Sequence, residues 1–307
     1  MSIASELTRI QGAKSDLRTS IINKGVQVPQ NALIDSYSGY VDQIAQGGGG
    51  GNPFDNCNFS YLLMNIASAN ALFYGRFLDN LDDIYNSVQS GLQWLDFQHF
   101  ASSVETTTEK VQKILKIAEK FLNDDRTNLR CDYMFQYLST TDTGAVLKFA
   151  PTINLTHTIN FSYAFQYLGF TNTANNKFYM EIDFNNVSAT GYTYTNAFDI
   201  QGDRAEVKIF NLPIDKLQGS GTLTFGTSTS GAIKEITVKN GITTTNIRTL
   251  NFRYVDMALD KWINLFNSFG STSISNVTIT IPSAIYNQLT EAQKAIITDK
   301  GYLLASA

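Results

Sequence analysis

Charge is what this sequence has least of. Acidic and basic side chains make up 16% of its 307 residues, against about 25% in an average soluble domain. The surface must therefore be carried by Asn, Thr, Ser and Gln. No run of Lys or Arg breaks that neutrality. The densest basic stretch, Lys110 to Lys120, is interleaved with Glu109 and Glu119 and reads as one solvated helix face. With a formal net charge of −4 there is no electrostatic footprint for phosphate, which argues against nucleic acid as a partner. Long apolar runs are missing too, and no window approaches about 18 uninterrupted apolar residues, so no membrane insertion is expected. The opening residues Met1–Glu6 hold neither a basic nor an apolar leader region, so the five N-x-S/T matches read as a product of composition rather than as glycosylation sites.

Reactive side chains are equally sparse. The two cysteines, Cys57 and Cys131, stand 74 positions apart with no C-x-x-C, which disfavours a disulfide framework and structural zinc. They read as small buried hydrophobes, with a bridge between them as the alternative. His99 and His157 lie far apart among apolar neighbours and outside any catalytic pattern. The sequence lacks H-E-x-x-H, Walker A and G-x-S-x-G. Asp79-Asn80-Leu81-Asp82-Asp83 lacks the glycine and the distal glutamate of a calcium loop and reads as a turn. Glu181 and Asp183 share one strand face, an arrangement a glycosidase tolerates but that solvated sheets also show. No enzyme activity, cofactor or metal is expected.

What the chain does have begins with a helical module at 1–46. Ile3, Leu7, Ile10, Leu17 and Ile21 fall on alternating steps of four and three, with Lys14 in the missing place, which predicts a heptad seam. Gly25 is a natural stop. Pro29 pushes Val28 out of the helical region, and a second helix is expected from about Asn31, with Leu33, Tyr37, Tyr40 and Ile44 on one face. Helices this short are marginal alone, so they must pack on each other, on copies of themselves, or on a partner. Five consecutive glycines, 47–51, then form a flexible tether with a reach of about 12–13 Å.

From 52 to 307 the signal is loose repetition. Cys131–Leu138 and Asn160–Leu168 match at Tyr-x-Phe-Gln-Tyr-Leu, 30 residues apart, with weaker echoes at Asn58–Tyr61 and Tyr194–Phe198. Short alternating apolar runs recur at Trp94–Phe97, Val146–Phe149, Met180–Phe184, Val207–Phe210, Leu223–Phe225, Ile236–Val238, Leu250–Phe252 and Val277–Ile281. Many of the intervals are near 27 residues or half of that. A recurring strand with a variable return segment predicts a stacked solenoid. Helices interrupt it at Val104–Leu122, where Ser102 and Glu105 suggest a capping box, at Ala258–Phe269, which places Leu259, Trp262, Ile263 and Phe266 together, and after Thr290, which with Gln293 offers another capping box. The last two are expected to cap the open end. Phe135, Phe165 and Phe198 read as a core ladder. Tyr137, Tyr167, Tyr179, Tyr192 and Tyr194 are candidate surface-binding residues, because tyrosine joins a large contact area to a polar handle.

Two segments resemble known families. Ile10-x-x-Ala13-Lys14, Ile21-Ile22-Asn23-Lys24-Gly25-Val26-x-Val28-Pro29 and Leu33-Ile34-Asp35-x-Tyr37 resemble a module found at the start of phage virion proteins, ahead of a glycine-rich linker. Val277–Pro282 and Leu289–Tyr302 resemble the closing repeat of BspA-type leucine-rich-repeat proteins. The fold class implied is α+β: a short N-terminal helical anchor, a glycine tether, and an irregular leucine-rich-repeat-like β-solenoid body with inserted and C-terminal capping helices. The function implied is a phage virion structural protein, a head or tail fibre assembled in the host cytoplasm. Its anchor would self-associate, most simply as a trimer coiled coil, or dock on capsid, tail or baseplate proteins. Its body would bind a host-surface glycan or protein. The alternatives are a cell-surface repeat adhesin and a glycan depolymerase.

Overall fold

Alternating apolar and polar residues become parallel sheet here, because each short strand can bury its inward side chains only against a neighbour that repeats them. The computed structural model describes residues 3–24, 26–41, 100–122, 129–154, 157–218, 221–226, 231–239, 241 and 247–307. The chain divides into two compact units, Met1–Cys57 and Asn58–Ala307.

In the first unit, helix α1 spans Ile3–Ile22, as the heptad spacing predicts. A 3-10 turn at Ile34–Ser36 leads into the short helix α2, Tyr37–Val41. The second helix thus starts later than expected, since the chain is still turning at Ala32, whose N–H donates to the Pro29 carbonyl at 3.1 Å. Leu33 precedes the helix and is 69% exposed instead of lying on an apolar face. Val26 and Val28 bury against Ile21 and Tyr37, with Ile22, Ala32 and Tyr40 packed around them. Arg18 Nε holds the returning segment by donating to the Val28 carbonyl at 2.9 Å. The Lys14 ammonium lies 5.9 Å from the centre of the Tyr37 ring. Of the heptad positions, Ile21 closes this small core while Ile10 and Leu17 remain 46% and 42% exposed. Ile3 and Leu7 lie on α1. Ile44 and the glycine run fall outside the described residues, as do Cys57, Asp79–Asp83, Trp94–Phe97 and His99.

In the second unit the strands pair in parallel, partners lying 25 to 34 residues apart in sequence. The strands in chain order are β1 (Glu105–Thr106), β2 (Leu129–Arg130), β3 (Ser139–Thr140), β4 (Leu147–Phe149), β5 (Ile153–Asn154), β6 (Thr158–Asn160), β7 (Phe178–Asp183) and β8 (Val187–Ser188). They continue with β9 (Gly191–Thr193), β10 (Ala205–Leu212), β11 (Gly221–Thr224), β12 (Ile233–Val238), β13 (Ile247–Asn251), β14 (Thr278–Ile281) and β15 (Leu303–Ser306). Among them are sheets ordered β2-β6-β9, β4-β7-β10-β12 and β11-β13-β14-β15. Chain segments therefore lie in tiers, and equivalent residues sit above one another. No sheet among the described residues closes into a barrel.

Stacking in register makes the core a column of rings. Phe135, Phe165 and Phe198 are fully buried, with successive centroids 5.9 and 5.8 Å apart. The column continues through Phe225 and Phe252, at 5.5 and 4.6 Å, and ends edge-on at Trp262, 6.2 Å away. Each such pair contributes about 0.5–1.5 kcal/mol beyond its burial. The outward side of the β4-β7-β10-β12 sheet is a matched polar row. Lys148 and Lys208 flank Glu181 at 3.9 and 3.1 Å, Lys208 stands opposite Glu235, and Glu235 pairs with Lys261 at 2.8 Å. Cys131 is buried, as the sequence suggests.

Helices close the sheet's edges. Helix α3, Thr108–Leu122, lies against β4. Gln112 there stands in for a strand, because a carboxamide is chemically a peptide group: its Oε1 accepts from Lys148 N–H at 2.7 Å and its Nε2 donates to the Lys148 carbonyl at 2.8 Å. Glu119 Oε1 accepts the next exposed donor, Ala150 N–H, at 2.6 Å. The expected Ser102–Glu105 capping box does not form. Glu105 is in β1, and α3 starts at Thr108, where Asp142 Oδ1 accepts from the Thr108 N–H at 2.7 Å and hydroxyl at 2.9 Å. This carboxylate from the neighbouring tier adds to a local cap, in which Thr107 Oγ1 accepts from the Lys110 N–H at 3.4 Å. At the other edge, α4 (Leu259–Ser268) covers β12, and Ser268 Oγ accepts from Val238 N–H at 3.1 Å. It buries Trp262, Leu265 and Phe266, with Leu265 where Ile263 was expected. Lys300 Nζ donates to the Phe266, Asn267 and Phe269 carbonyls at 2.8, 3.0 and 2.7 Å, satisfying the end of α4. α4 is not terminal, since β14, helix α5 (Ser283–Tyr286), helix α6 (Glu291–Thr298) and β15 follow it. α6 carries the expected capping box between Thr290 and Gln293.

Two outcomes check this architecture. Phe225→Ala opens a hole in the middle of the ring column and should cost about 3–5 kcal/mol in denaturant unfolding; a loss below about 1 kcal/mol would mean the column is not continuous there. Gln112→Ala bares one N–H and one carbonyl of β4, so it should cost about 1–3 kcal/mol. It should also raise self-association in light scattering, since an uncovered strand edge invites pairing.

Candidate functional site

The repeated Tyr-x-Phe-Gln-Tyr-Leu segments form the outer turns between sheets. Two hydrogen-bond sets share them. The N–H groups of Cys131, Tyr133, Phe135 and Tyr137 donate to Asn160, Ser162, Ala164 and Gln166 carbonyls of the next tier at 2.8–3.1 Å. The intervening N–H groups of Met134, Gln136 and Leu138 close local turns onto Cys131, Tyr133 and Phe135 at 3.0–3.2 Å. This zigzag sends Phe135, Met134 and Leu138 inward and leaves Tyr133, Gln136 and Tyr137 half-buried at the rim. The segment at 161–168 repeats it, with Tyr163, Gln166 and Tyr167 in the same places.

The geometry has a conformational cost. Tyr133, Tyr137, Tyr163 and Tyr167 have φ of 59°, 61°, 60° and 55°, the left-handed region. That region costs an L-residue about 1–2 kcal/mol, less for Asn and nothing for Gly. Asn196, at the place of Tyr163 in the following tier, has φ 49° and is the cheaper choice. The tyrosines recover part of the cost as stacks. Tyr133 and Tyr163 are 4.7 Å apart and parallel to within 1°, and Tyr137 and Tyr167 are 5.2 Å apart at 24°. Such pairs return about 0.5–1.5 kcal/mol, so stability alone gives no reason to prefer Tyr here. Phe170, 43% exposed, meets Tyr137 edge-on at 5.1 Å, and the Arg204 guanidinium lies 5.0 Å from the Phe170 ring.

Between the two tyrosine columns runs an amide row. Gln136 Nε2 donates to Gln166 Oε1 at 2.6 Å, and Gln166 Nε2 donates to Asp199 Oδ2 at 3.3 Å. Asp199 Oδ1 is buried without a hydrogen-bond partner. Burial raises the Asp199 carboxyl pKa, which the bond from Gln166 opposes. Burial also raises the Tyr167 hydroxyl, with the Asp199 charge adding to it.

Of the tyrosines singled out from sequence, Tyr137 and Tyr167 meet in one column, while Tyr179 is half-buried on β7 opposite Glu206. Tyr192 and Tyr194 are corrections: both are buried core residues. The Tyr192 hydroxyl accepts from the Ala189 N–H at 2.9 Å, and burial pushes its pKa up to about 12. Tyr194 stacks 5.6 Å from Phe161 and 5.8 Å from Phe198. Residue type alone misled there: Tyr192 and Tyr194, two positions apart, both point into the core, with half-buried Thr193 between them. Tyr133, Tyr163 and the amide row were not singled out, although the same 30-residue offset that aligned Tyr137 with Tyr167 carries them. Glu181 and Asp183 do share a face, but lysines flank Glu181, and Asp183 accepts from Asn211 Nδ2 at 2.8 Å. Among the described residues no cluster of His, Cys, Asp and Glu is arranged to hold a metal.

No family model, curated protein or solved structure matches the chain.

Tyr194 supplies a direct check on its reassignment. Its buried hydroxyl has no hydrogen-bond partner, a condition that costs about 1–3 kcal/mol. Tyr194→Phe should therefore raise stability by about 1 kcal/mol in thermal or urea unfolding. A loss of similar size would show that the hydroxyl is satisfied in solution.

Proposed function

We propose that the chain is a non-enzymatic appendage protein of a phage virion, a head or tail fibre. In this reading the N-terminal unit attaches the protein to the particle, alone or as a self-associated bundle with a trimer favoured. The second unit, read as an irregular leucine-rich-repeat-like β-solenoid, is displayed for host-surface binding. The parallel tiers at intervals near those of known repeats support the solenoid part of the reading. So does Asn172, whose buried carboxamide accepts from Thr140 N–H at 3.1 Å and donates to the Thr140 carbonyl at 2.9 Å, bridging two tiers where no strand pairs.

The observation that carries the anchor reading is the division of labour along α1. Its last turn, through Ile21, is used up in a private core with Val26, Val28 and Tyr37. Ile10 and Leu17, seven residues apart on one stripe, stay exposed. A seven-residue apolar repeat left open on a helix is the pattern that packs against another helix. For the body, the neutral, tyrosine- and amide-rich rim resembles recognition surfaces in composition. Glu181 and Asp183 serve as partners for lysine and asparagine, which favours binding over glycan cleavage.

Replacing both exposed residues tests this in the full chain. Ile10→Asp with Leu17→Asp should reduce the solution mass to that of one chain, or abolish attachment to particles, without lowering the melting temperature of the second unit. An unchanged mass together with unchanged attachment would remove the anchor role from α1.

A further inference from the structure

We propose that Tyr137, with Gln136 and Ser103 beside it, forms a subsite for one pyranose ring of a neutral glycan; this specifies the host-surface-binding reading above and rests on it. The first observation is positional. The left-handed site of the outer turn is occupied in successive tiers by Ser103, with φ 62°, then Tyr137, then Tyr167. The hydrogen bonds fix that alignment: Ser103 N–H donates to the Gln136 carbonyl at 2.8 Å, and Tyr137 N–H donates to the Gln166 carbonyl at 3.1 Å. One face of the Tyr137 ring is covered by Tyr167 at 5.2 Å. On the other side the described neighbour is Ser103, exposed and without a ring. Among the described residues the stack therefore ends on an aromatic face, held in orientation by the edge of Phe170 at 5.1 Å.

The second observation is the chemistry around that face. The axial C–H bonds of a pyranose carry slight positive charge and complement the negative face of an aromatic ring. Its neighbouring hydroxyls need a donor and an acceptor side by side, which a carboxamide offers. Gln136 spends one N–H on Gln166 Oε1 at 2.6 Å. That bond fixes the amide plane, and the second N–H and Oε1 have no other partner among the described residues. The Ser103 hydroxyl adds a donor and acceptor at the open end. Among the described residues no charged side chain bonds to this trio: the carboxylate in the amide row, Asp199, is bonded to Gln166 at 3.3 Å, on the far side from Ser103, and the Arg204 guanidinium lies over Phe170. An uncharged sugar suits such a site better than a sialylated or phosphorylated one.

The third observation is that Tyr137 holds a strained backbone that Asn or Gly adopts at lower cost. The ring is what the strain maintains.

The test uses saturation-transfer NMR on the full chain with the methyl pyranosides of glucose, galactose, mannose and N-acetylglucosamine as probes. At least one should receive saturation, strongest at its ring C–H protons. Tyr137→Gly should cut that transfer at least tenfold while leaving the melting temperature unchanged or higher, because glycine relieves the left-handed strain. Ser103→Tyr, which leaves Tyr137 intact but continues the stack over its open face, should abolish transfer as well. Tyr137→Trp should keep it. Absence of transfer from all four sugars to the wild-type protein, or transfer that survives Tyr137→Gly or Ser103→Tyr, overturns the subsite. Particle attachment is read separately through Ile10 and Leu17, so failure of the sugar test is distinguishable from failure of the appendage reading. Cell binding that persists after periodate destruction of surface sugars, yet is lost in Tyr137→Gly, also overturns it, in favour of a protein receptor.

Discussion

Parallel backbone pairing between neighbouring tiers is the constraint on which the second unit depends. Once the N–H groups of 131, 133, 135 and 137 are committed to carbonyls of the next tier, every side chain must share a column with its equivalents. Columns of phenylalanine are favourable, and they run from Phe135 to Phe252. Columns of glutamine bond along their length, as Gln136 and Gln166 do. Columns of like charge would repel, and the sheet face answers with alternating Lys148, Glu181, Lys208, Glu235 and Lys261. The low charge content of the sequence follows from the same rule, because a stacked surface tolerates neutral polar residues more easily than repeated charges.

A stack also has ends, and ends expose backbone. The protein closes the β4 edge with side-chain groups that imitate a peptide, Gln112 above all, and the β12 edge with Ser268 and the body of α4. These helices are the parts that a strict repeat would lack. The intervals between paired strands vary from 25 to 34 residues, so differences in length are taken up in the return segments, with or without a helix.

The rim of the outer turns combines two features that are individually unremarkable. Left-handed residues are needed wherever the zigzag turns, and tyrosines stack wherever tiers bring them together. Their coincidence at Tyr133, Tyr137, Tyr163 and Tyr167 puts bulky rings where small residues would serve the backbone better. Beside them lies an amide row bonded from Gln136 through Gln166 to Asp199, and around them little charge. The N-terminal unit shows a comparable division, with Ile21 and Tyr37 consumed in its own core and Ile10 and Leu17 left outward. In both units, what stays exposed is residue chemistry that the local fold does not require.

Much of this was legible in the residue order. The extent of α1 followed from the four-three spacing, the Thr290 cap from its local motif, and the strands β7, β10 and β14 from period-two alternation, because each of these signals lies within a few residues. The Phe ladder was visible in part at Phe135, Phe165 and Phe198; its continuation could have been found in the 27-residue steps to Phe225 and Phe252. The tertiary structure alone decided which tyrosines face outward. Tyr137 and Tyr194 look alike in sequence, yet one ends a rim stack and the other completes a buried column. It also decided that Asp142, 34 positions away, caps α3 instead of Ser102. Local order determines which elements form, since hydrogen bonds and periodicity act over short spans. Which face of an element is buried, and which distant residue completes it, depends on the tier stacked beside it.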